Sequence, residues 1–597
     1  MMLSLSVLVT WALVLAWSVL VGGFAGVLAG RRVGALAGIR VAMWFGFAVI
    51  VLSLLVTNLF VPLVGGTAIG VMVIVTLLAV GALVVVWRRG GGGSAERSLG
   101  FAWWTLVPMA ALALTLLFIA HSFAGPLTNY DSGVYHLQAI QFAAEYPTIP
   151  GLANFQDRLG TNISSFSVAA FLANLPWGIE AFRLLVGLFV SLFSADVVLR
   201  LLDRRATGRR QAGTIALLLS MLVAGPFLFG DPTHWVTSPT PDTISMLLTL
   251  VAGAYFVDAF VLPADGRTWA ATAAVVAALA ASVRTQLWVF AAFVVLGLLI
   301  RWWLGRRGRR DAFYGSPGLV WLAAAGVAAL VVVQMVRDVI LSGWLLFPAS
   351  VVPLPVDWRV PDPAESRIWI TSWARDPNGT PESTTGNWDW VGSWIGRSVD
   401  DWAVRGAIGM LALFVLVLLL RRSLQRPEPH VAAVHGLNWL LLLLPVAATA
   451  AVWFVAAPDP RFIWGVIALA GIIPAAVALS EVDADVVVPL VAGFAAAALL
   501  PAAVVGVANI RGMVAEGAEL RTYSFGPLAV AAYVNPVPSN PLKEFTVGTG
   551  QVLVSPVDTE TCWLAFPQCR PYPDPLLEFR GDRVEDGFRK GAAPAAS

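Results

Sequence analysis

Lysine is almost missing from this 597-residue chain: only Lys543 and Lys590 occur, so arginine supplies nearly all of the 38 basic residues. Cysteine is as rare, with Cys562 and Cys569 alone, and charged residues make up only 12% of the sequence. Each shortage excludes something. A soluble globular protein carries about 25% charged residues, and this chain, 58% hydrophobic with a mean hydropathy of +0.78, lies far outside that class. The basic residues are dealt out among loops and the net charge is only +2, so no basic patch marks a nucleic-acid partner. Two cysteines are too few for a structural zinc site. The glycines at 90–93 are followed by Ser94-Ala-Glu; without a Lys-Ser/Thr they form no phosphate-binding loop and read as a flexible linker.

What the chain has in abundance is apolar runs of membrane-spanning length. They cover about 6–29, 41–61, 64–87, 103–119, 177–199, 214–229, 244–262, 269–281, 286–303, 319–336, 404–420, 431–456, 463–479 and 486–507, roughly fourteen crossings of a hydrocarbon core about 30 Å thick. The first run lacks a basic leader and is long for a signal sequence, so it reads as a retained span. Alternate loops hold Arg31/Arg32/Arg40, Arg88/Arg89/Arg97, Arg204/Arg205/Arg209/Arg210, Arg306/Arg307/Arg309/Arg310 and Arg421/Arg422/Arg426, and the positive-inside rule puts that set in the cytoplasm. The acidic connection Glu481/Asp483/Asp485 falls on the same side, but acidic residues carry little weight in the rule. The chain divides into an N-terminal membrane segment (1–100), a membrane module with a large external loop at 122–176 (101–340), an external Trp-rich loop (341–403), C-terminal spans (404–508) and an external tail (509–597).

The external face collects the chemistry. Asp131 and His136 stand in Asn129-Tyr-Asp-Ser-Gly-Val-Tyr-His-Leu-Gln138, and Asp157-Arg158, Asp242, Arg284, Asp459 and Arg461 reach the same face at or near helix ends. From 132 to 146 no proline intervenes, and Leu137, Ile140 and Ala144 share one face, the pattern of an amphipathic helix lying along the membrane surface. Asp131 at its N-terminus has a plain alternative role as a helix cap, as has Asp242 directly after Pro241. Asn162-Ile-Ser-Ser-Phe166 starts an apolar stretch that re-enters without crossing. Arg284 interrupts two short runs, so a hairpin that stops short of the far side, with Arg284 at its tip, would place the charge in a cavity or against a partner. Asn162-Ile-Ser and Asn378-Gly-Thr also match the short glycosylation pattern.

The loop at 341–404 is rich in tryptophan (Trp358, Trp369, Trp373, Trp388, Trp390, Trp394, Trp402), which suits interface anchoring and also stacking on sugar rings. A disulfide closing the short loop Cys562–Cys569 fits an oxidising compartment better than two reduced cysteines fit a cytoplasmic tail. An even number of crossings puts the tail outside as well.

In sum of residues, Tyr130-Asp-Ser-Gly-Val-Tyr-His136, Ser238-Pro-Thr-Pro-Asp242, Ser282-Val-Arg-Thr-Gln286 and Ala457-Pro-Asp-Pro-Arg-Phe462 resemble the GT-C superfamily of integral membrane glycosyltransferases, and within it a bacterial group with a two-cysteine tail. The resemblance implies an all-α polytopic bundle with surface helices in the first large external loop, in a bacterial plasma membrane with its site on the outer face. It implies a polyprenyl-phosphate-linked sugar as donor and a glycan, lipid or protein as acceptor. Asp131 takes the place of the first-loop acid, and Arg284 that of the basic residue between two short helices. Two features depart from the family, whose members mostly begin the first loop soon after the first helix: three additional spans precede it here, and a single Asp131 followed by Ser132 replaces paired acids. The metal is therefore unknown, with a divalent cation, Mg or Mn, as an option.

Moving a sugar from a lipid phosphate needs a base for the acceptor and cations for the departing phosphate. Asp131 is the candidate base and His136 a second titrating group or acceptor contact; Arg284 and Arg461 are the candidates for the phosphate. Asp157, Arg158, Asp242 and Asp459 are candidates for orienting the acceptor or holding a cation. The competing class is a multi-span transporter or flippase of lipid-linked sugar, although no internal repeat relates the two halves. A third is a noncatalytic partner in envelope-polymer assembly.

Overall fold

A backbone inside lipid must satisfy its own polar groups, which long apolar runs do by coiling. The computed structural model describes residues 1–89, 102–203, 211–262, 265–306, 315–424, 436–508, 512 and 514–591. Among them fourteen helices are long and apolar enough to cross a membrane, one for each run expected from sequence. The linker at 90–97, and Arg97, Arg204, Arg205, Arg209, Arg210, Arg307, Arg309, Arg310 and Arg426 among the orienting arginines, lie outside the described residues.

The bundle is built around Pro241–Val261, a helix buried along all but its last residue. It packs against Leu185–Leu201, Ala212–Ala224, Gly266–Val283, Leu437–Ala456 and Trp464–Leu479. Three details differ from the sequence reading. The first run breaks at Gly22 into Met2–Val21 and Gly23–Val33, where the chain crosses Ala35–Asn58 so closely that a Cβ on Gly46 would lie 1.8 Å from the Ser18 carbonyl oxygen. Arg40, counted among the loop arginines, is inside Ala35–Asn58 and buried. The pair flanking Arg284 does not stop short: Gly266–Val283 and Leu287–Gly305 have 18 and 19 residues, or about 27–29 Å at 1.5 Å per residue. Arg284 therefore sits in a turn at a bundle end, not at the tip of a truncated hairpin.

The alternation of fourteen spans brings the 122–176 loop, the turn at Arg284, the Trp-rich segment and the tail to one end of the bundle, called here the tail face. Contacts across the chain agree. The Arg183 guanidinium, at the tail-face start of the fifth span, donates to the carbonyls of Gly125 (2.7 Å) and Asn535 (2.8 Å). The backbone N–H of Trp563 donates to the Gly133 carbonyl at 2.9 Å, and Phe588 donates to Pro150 at 3.0 Å.

Strand occurs outside the spans, in a short hairpin pairing Trp344–Leu346 with Val351–Pro353 and in three tail hairpins: Glu519–Phe525 with Leu528–Val534, Leu542–Thr546 with Val552–Pro556, and Leu577–Phe579 with Phe588–Lys590, all antiparallel. The expected disulfide joins Cys562 and Cys569. This tail changes the setting of the first loop. The helix Leu137–Glu145 forms as expected, but Gln138 and Gln141 are buried together with Leu137, Ile140 and Ala144. Phe142 meets Phe566 at 4.7 Å and the Gln138 amide donates to the Cys569 carbonyl at 2.7 Å. The helix is thus sandwiched between bundle and tail instead of lying on lipid. Ser164–Leu172, nine residues of which eight are buried and only about 13 Å long, is too short to cross. Before it, Asn162 (φ 46°) is buried, donating to Asp338 at 2.9 Å and accepting from Arg337 at 2.8 Å, so this glycosylation match is a structural residue.

Candidate functional site

The site grows from a turn of π-helix at Ser132–His136, a local widening that frequently marks function in helices. Asp131 stands where a cap would, yet its side chain caps nothing. The backbone N–H of Ser132 is taken by the Asn129 side-chain oxygen at 3.1 Å. Freed of that task, the Asp131 carboxylate lies between two guanidiniums, Arg158 at 3.1 Å and Arg461 at 3.5 Å. Burial would push its carboxyl up; Arg461, Arg158 and Arg284 outweigh burial and hold it below the ordinary carboxylate range. The group is ionised at neutral pH and 20% exposed, so it is both charged and reachable.

Asp242 follows the same logic. Its helix is capped by Thr240, whose hydroxyl accepts from the Asp242 backbone N–H at 3.3 Å, and the Asp242 carboxylate ion-pairs with Arg284. The Arg284 guanidinium lies 4.6 Å from the centre of the Phe462 ring. Asp459 does cap: it accepts from the Arg461 N–H at 3.0 Å and opens the short turn Pro460–Ile463. Burial raises its carboxyl despite the nearby Arg461. The Arg461 guanidinium stacks on Trp373 at 4.5 Å, and the loop beneath it is pinned by Trp394 and Trp453, which donate to the carbonyls of Pro458 and Asp459. The Nε atoms of Arg284 and Arg461 are buried and have no hydrogen-bond partner among the described residues.

Of the sequence candidates, Asp131, Arg158, Asp242, Arg284, Asp459 and Arg461 converge. Asp157 accepts from the Arg158 backbone N–H at 2.8 Å and faces Arg570 and Lys590 of the tail. His136 is fully buried against Tyr135 and Phe166, with Nδ1 3.1 Å from the Ser132 hydroxyl and Nε2 without a hydrogen-bond partner among the described residues. Burial pushes it down to about 3, so at neutral pH it is an uncharged imidazole. The sequence reading missed His234, which burial lowers and which feels Asp131, Asp242 and Arg461 together; it also missed Tyr135, lying 5.8 Å under the Arg158 guanidinium. The run Asp231-Pro-Thr-His234, with Asp231 capping His234 at 3.1 Å, was the available signal. Each acid is met by arginine, and among the described residues no three His, Cys, Asp or Glu gather as a metal ion would require.

A family model described as a domain of unknown function, DUF8201, matches residues 2–468. No curated protein and no solved structure shows a match.

Proposed function

We propose that this chain, which belongs to the DUF8201 family, is a membrane glycosyltransferase of GT-C type that moves a sugar from a polyprenyl-phosphate donor to a hydroxyl or amine on the outer face of a bacterial plasma membrane. One observation carries the reading: an ionised, partly open Asp131 with no capping task stands between Arg158 and Arg461, beside an Arg284 whose buried Nε–H has no hydrogen-bond partner among the described residues. In the step, the anomeric C–O bond to phosphate breaks as the acceptor oxygen or nitrogen forms its bond to the same carbon. The acceptor proton passes to Asp131 and the negative charge departs on the lipid phosphate, toward the arginines. Neutral His136 orients Ser132 and the π-turn without carrying charge.

The charged groups sit at helix ends on one face, in a turn (Arg284), in first turns (Asp242, Arg461) and at the start of the π-turn (Asp131). A transporter builds its site near the bilayer midplane from broken helices, so the arrangement favours chemistry at the interface over passage. Radiolabelled sugar offered from a panel of polyprenyl-phosphate donors to membranes carrying the wild type or Asp131→Asn tests the reading. Transfer by wild type alone supports it; equal transfer by both removes Asp131 as base; none from any donor with folded protein moves the weight to a flippase.

A further inference from the structure

We propose that Tyr130, Glu560 and Tyr572 form a carbohydrate-binding subsite beside Asp131, taking a neutral acceptor glycan; this rests on the glycosyl-transfer reading. Tyr130 immediately precedes Asp131, yet turns outward: it is 47% exposed, whereas Ser132 to His136 are buried. Its hydroxyl donates to the Glu560 carboxylate. Tyr572, 54% exposed, reaches the same carboxylate. Both rings lie within the field of Arg158, whose Nη1 holds Asp131 at 3.1 Å. An acceptor seated on these rings is therefore one arginine away from the proposed base.

The tail fixes Glu560 in advance. Its neighbour Thr561 is buried, and the Asn540 amide donates to the Thr561 carbonyl at 2.8 Å and hydroxyl at 2.6 Å. Cys562 is tied to Cys569, and Thr561 and Trp563 abut Gly133 so tightly that a Cβ there would lie 2.8 Å from each. A contact that served only to latch the tail would bury its rings, as Phe155 with Phe588 at 4.9 Å does. Here the rings stay open around a carboxylate with free lone pairs. Flat apolar faces suit the C–H faces of a sugar ring, and a carboxylate accepts from hydroxyls. Glu560 and Asp157 beside Tyr572 disfavour an anionic glycan. The tail also lies beyond residue 468, where the family match ends, so the transfer residues and Tyr130 belong to the family body, and Glu560 and Tyr572 to the tail.

Saturation-transfer NMR on the full-length protein in nanodiscs, without donor, against a panel of neutral di- and trisaccharide methyl glycosides, tests the subsite. Wild type should saturate ring C–H protons of at least one saccharide. Tyr572→Ala should weaken that binding about tenfold and Glu560→Gln about threefold, while Tyr572→Phe, which keeps the ring, stays within about twofold. An unchanged melting temperature and intact disulfide control for tail docking; should Tyr572→Ala not fold, Glu560→Gln carries the test. No saturation from any saccharide, or undiminished saturation in Tyr572→Ala and Glu560→Gln, overturns the subsite. Because binding is read without donor, saccharide binding with no transfer sinks the enzyme reading instead, and transfer without binding sinks only the subsite.

Discussion

Arginine and aspartate cluster at both ends of this bundle, and the two clusters differ in how fully they are closed. At the end opposite the tail, Arg40, Asp196, Arg200 and Asp258 have side chains 0–4% exposed. Asp196 accepts from Arg200 Nε at 2.8 Å, Trp44 Nε1 at 2.6 Å and the Tyr255 hydroxyl at 2.6 Å. Asp258 accepts from Arg200 Nη1 at 2.7 Å and the Gly213 N–H at 2.9 Å. Every carboxylate oxygen of these two acids is occupied. On the tail face Asp131 is 20% exposed, Arg461 24% and Arg158 36%, with contacts of 3.1 and 3.5 Å. Charge near lipid is therefore not by itself a mark of function. Sealed, with its two acids fully occupied, it ties helices together; open to solvent, it is available to a ligand.

Breaking the sealed cluster should have the largest effect. Asp196→Ala leaves Arg200 and Arg40 buried without their shared acid, a loss of about 3–5 kcal/mol, and the expected outcome is failure to recover monodisperse protein by size-exclusion chromatography. Asp131→Asn, nearly isosteric at an open site, should lower the melting temperature only slightly and lower sugar transfer by about 10²- to 10⁴-fold. If Asp131→Asn unfolded the protein as Asp196→Ala does, the two clusters would be of one kind and the distinction would fall.

How much of this contrast the sequence carries depends on the kind of signal. The fourteen spans and the convergence of Asp131, Asp242, Arg284 and Arg461 on one face follow from apolar run length and arginine placement, both written locally in the chain. The sealed cluster was not read. Only Asp196 and Arg200 stand at i, i+4 spacing; Arg40 and Asp258 come from other helices, and nothing local distinguishes Arg40 from a loop arginine. The same limit hid the cover over Leu137–Glu145, because Trp563, Phe566 and Cys569, more than 400 residues away, decide that its polar side is buried. Tyr135 was missed since a lone tyrosine gives no period or spacing to argue from, and His234 since its one local signal, the capping run Asp231-Pro-Thr-His234, is equally the mark of an ordinary helix start.

A smaller effect sharpens the comparison through arginine chemistry. Lysine keeps the charge but loses the planar fork. At the sealed end Arg200→Lys cannot bridge Asp196 and Asp258 together and should cost about 1–3 kcal/mol, seen as a lowered melting temperature. At the open end Arg461→Lys should leave stability within about 0.5 kcal/mol, and Arg461→Lys and Arg284→Lys should each raise the KM for the lipid-phosphate donor about tenfold, with the acceptor KM unmoved. A rise confined to the acceptor KM would take both arginines away from the phosphate.

The smallest effect is a flat response to pH. Asp131 has a folded-state value below its ordinary 3.8, so its ionised form, and the stability it contributes, is present above 3.8 and lost only as pH falls through that lower value. His136 is also depressed, from 6.5 to about 3, by burial; between those values the unfolded chain binds a proton that the folded chain refuses, so stability is full above 6.5 and drains toward pH 3. Acid therefore weakens the first loop before it neutralises the base. Transfer measured as kcat/KM should stay level from about pH 5 to 8, and His136→Gln should relieve the acid loss of stability without moving that profile. An acid limb near pH 6.5 that vanished in His136→Gln would give the imidazole a charged role in transfer, and the neutral, positioning role argued from its burial would be wrong.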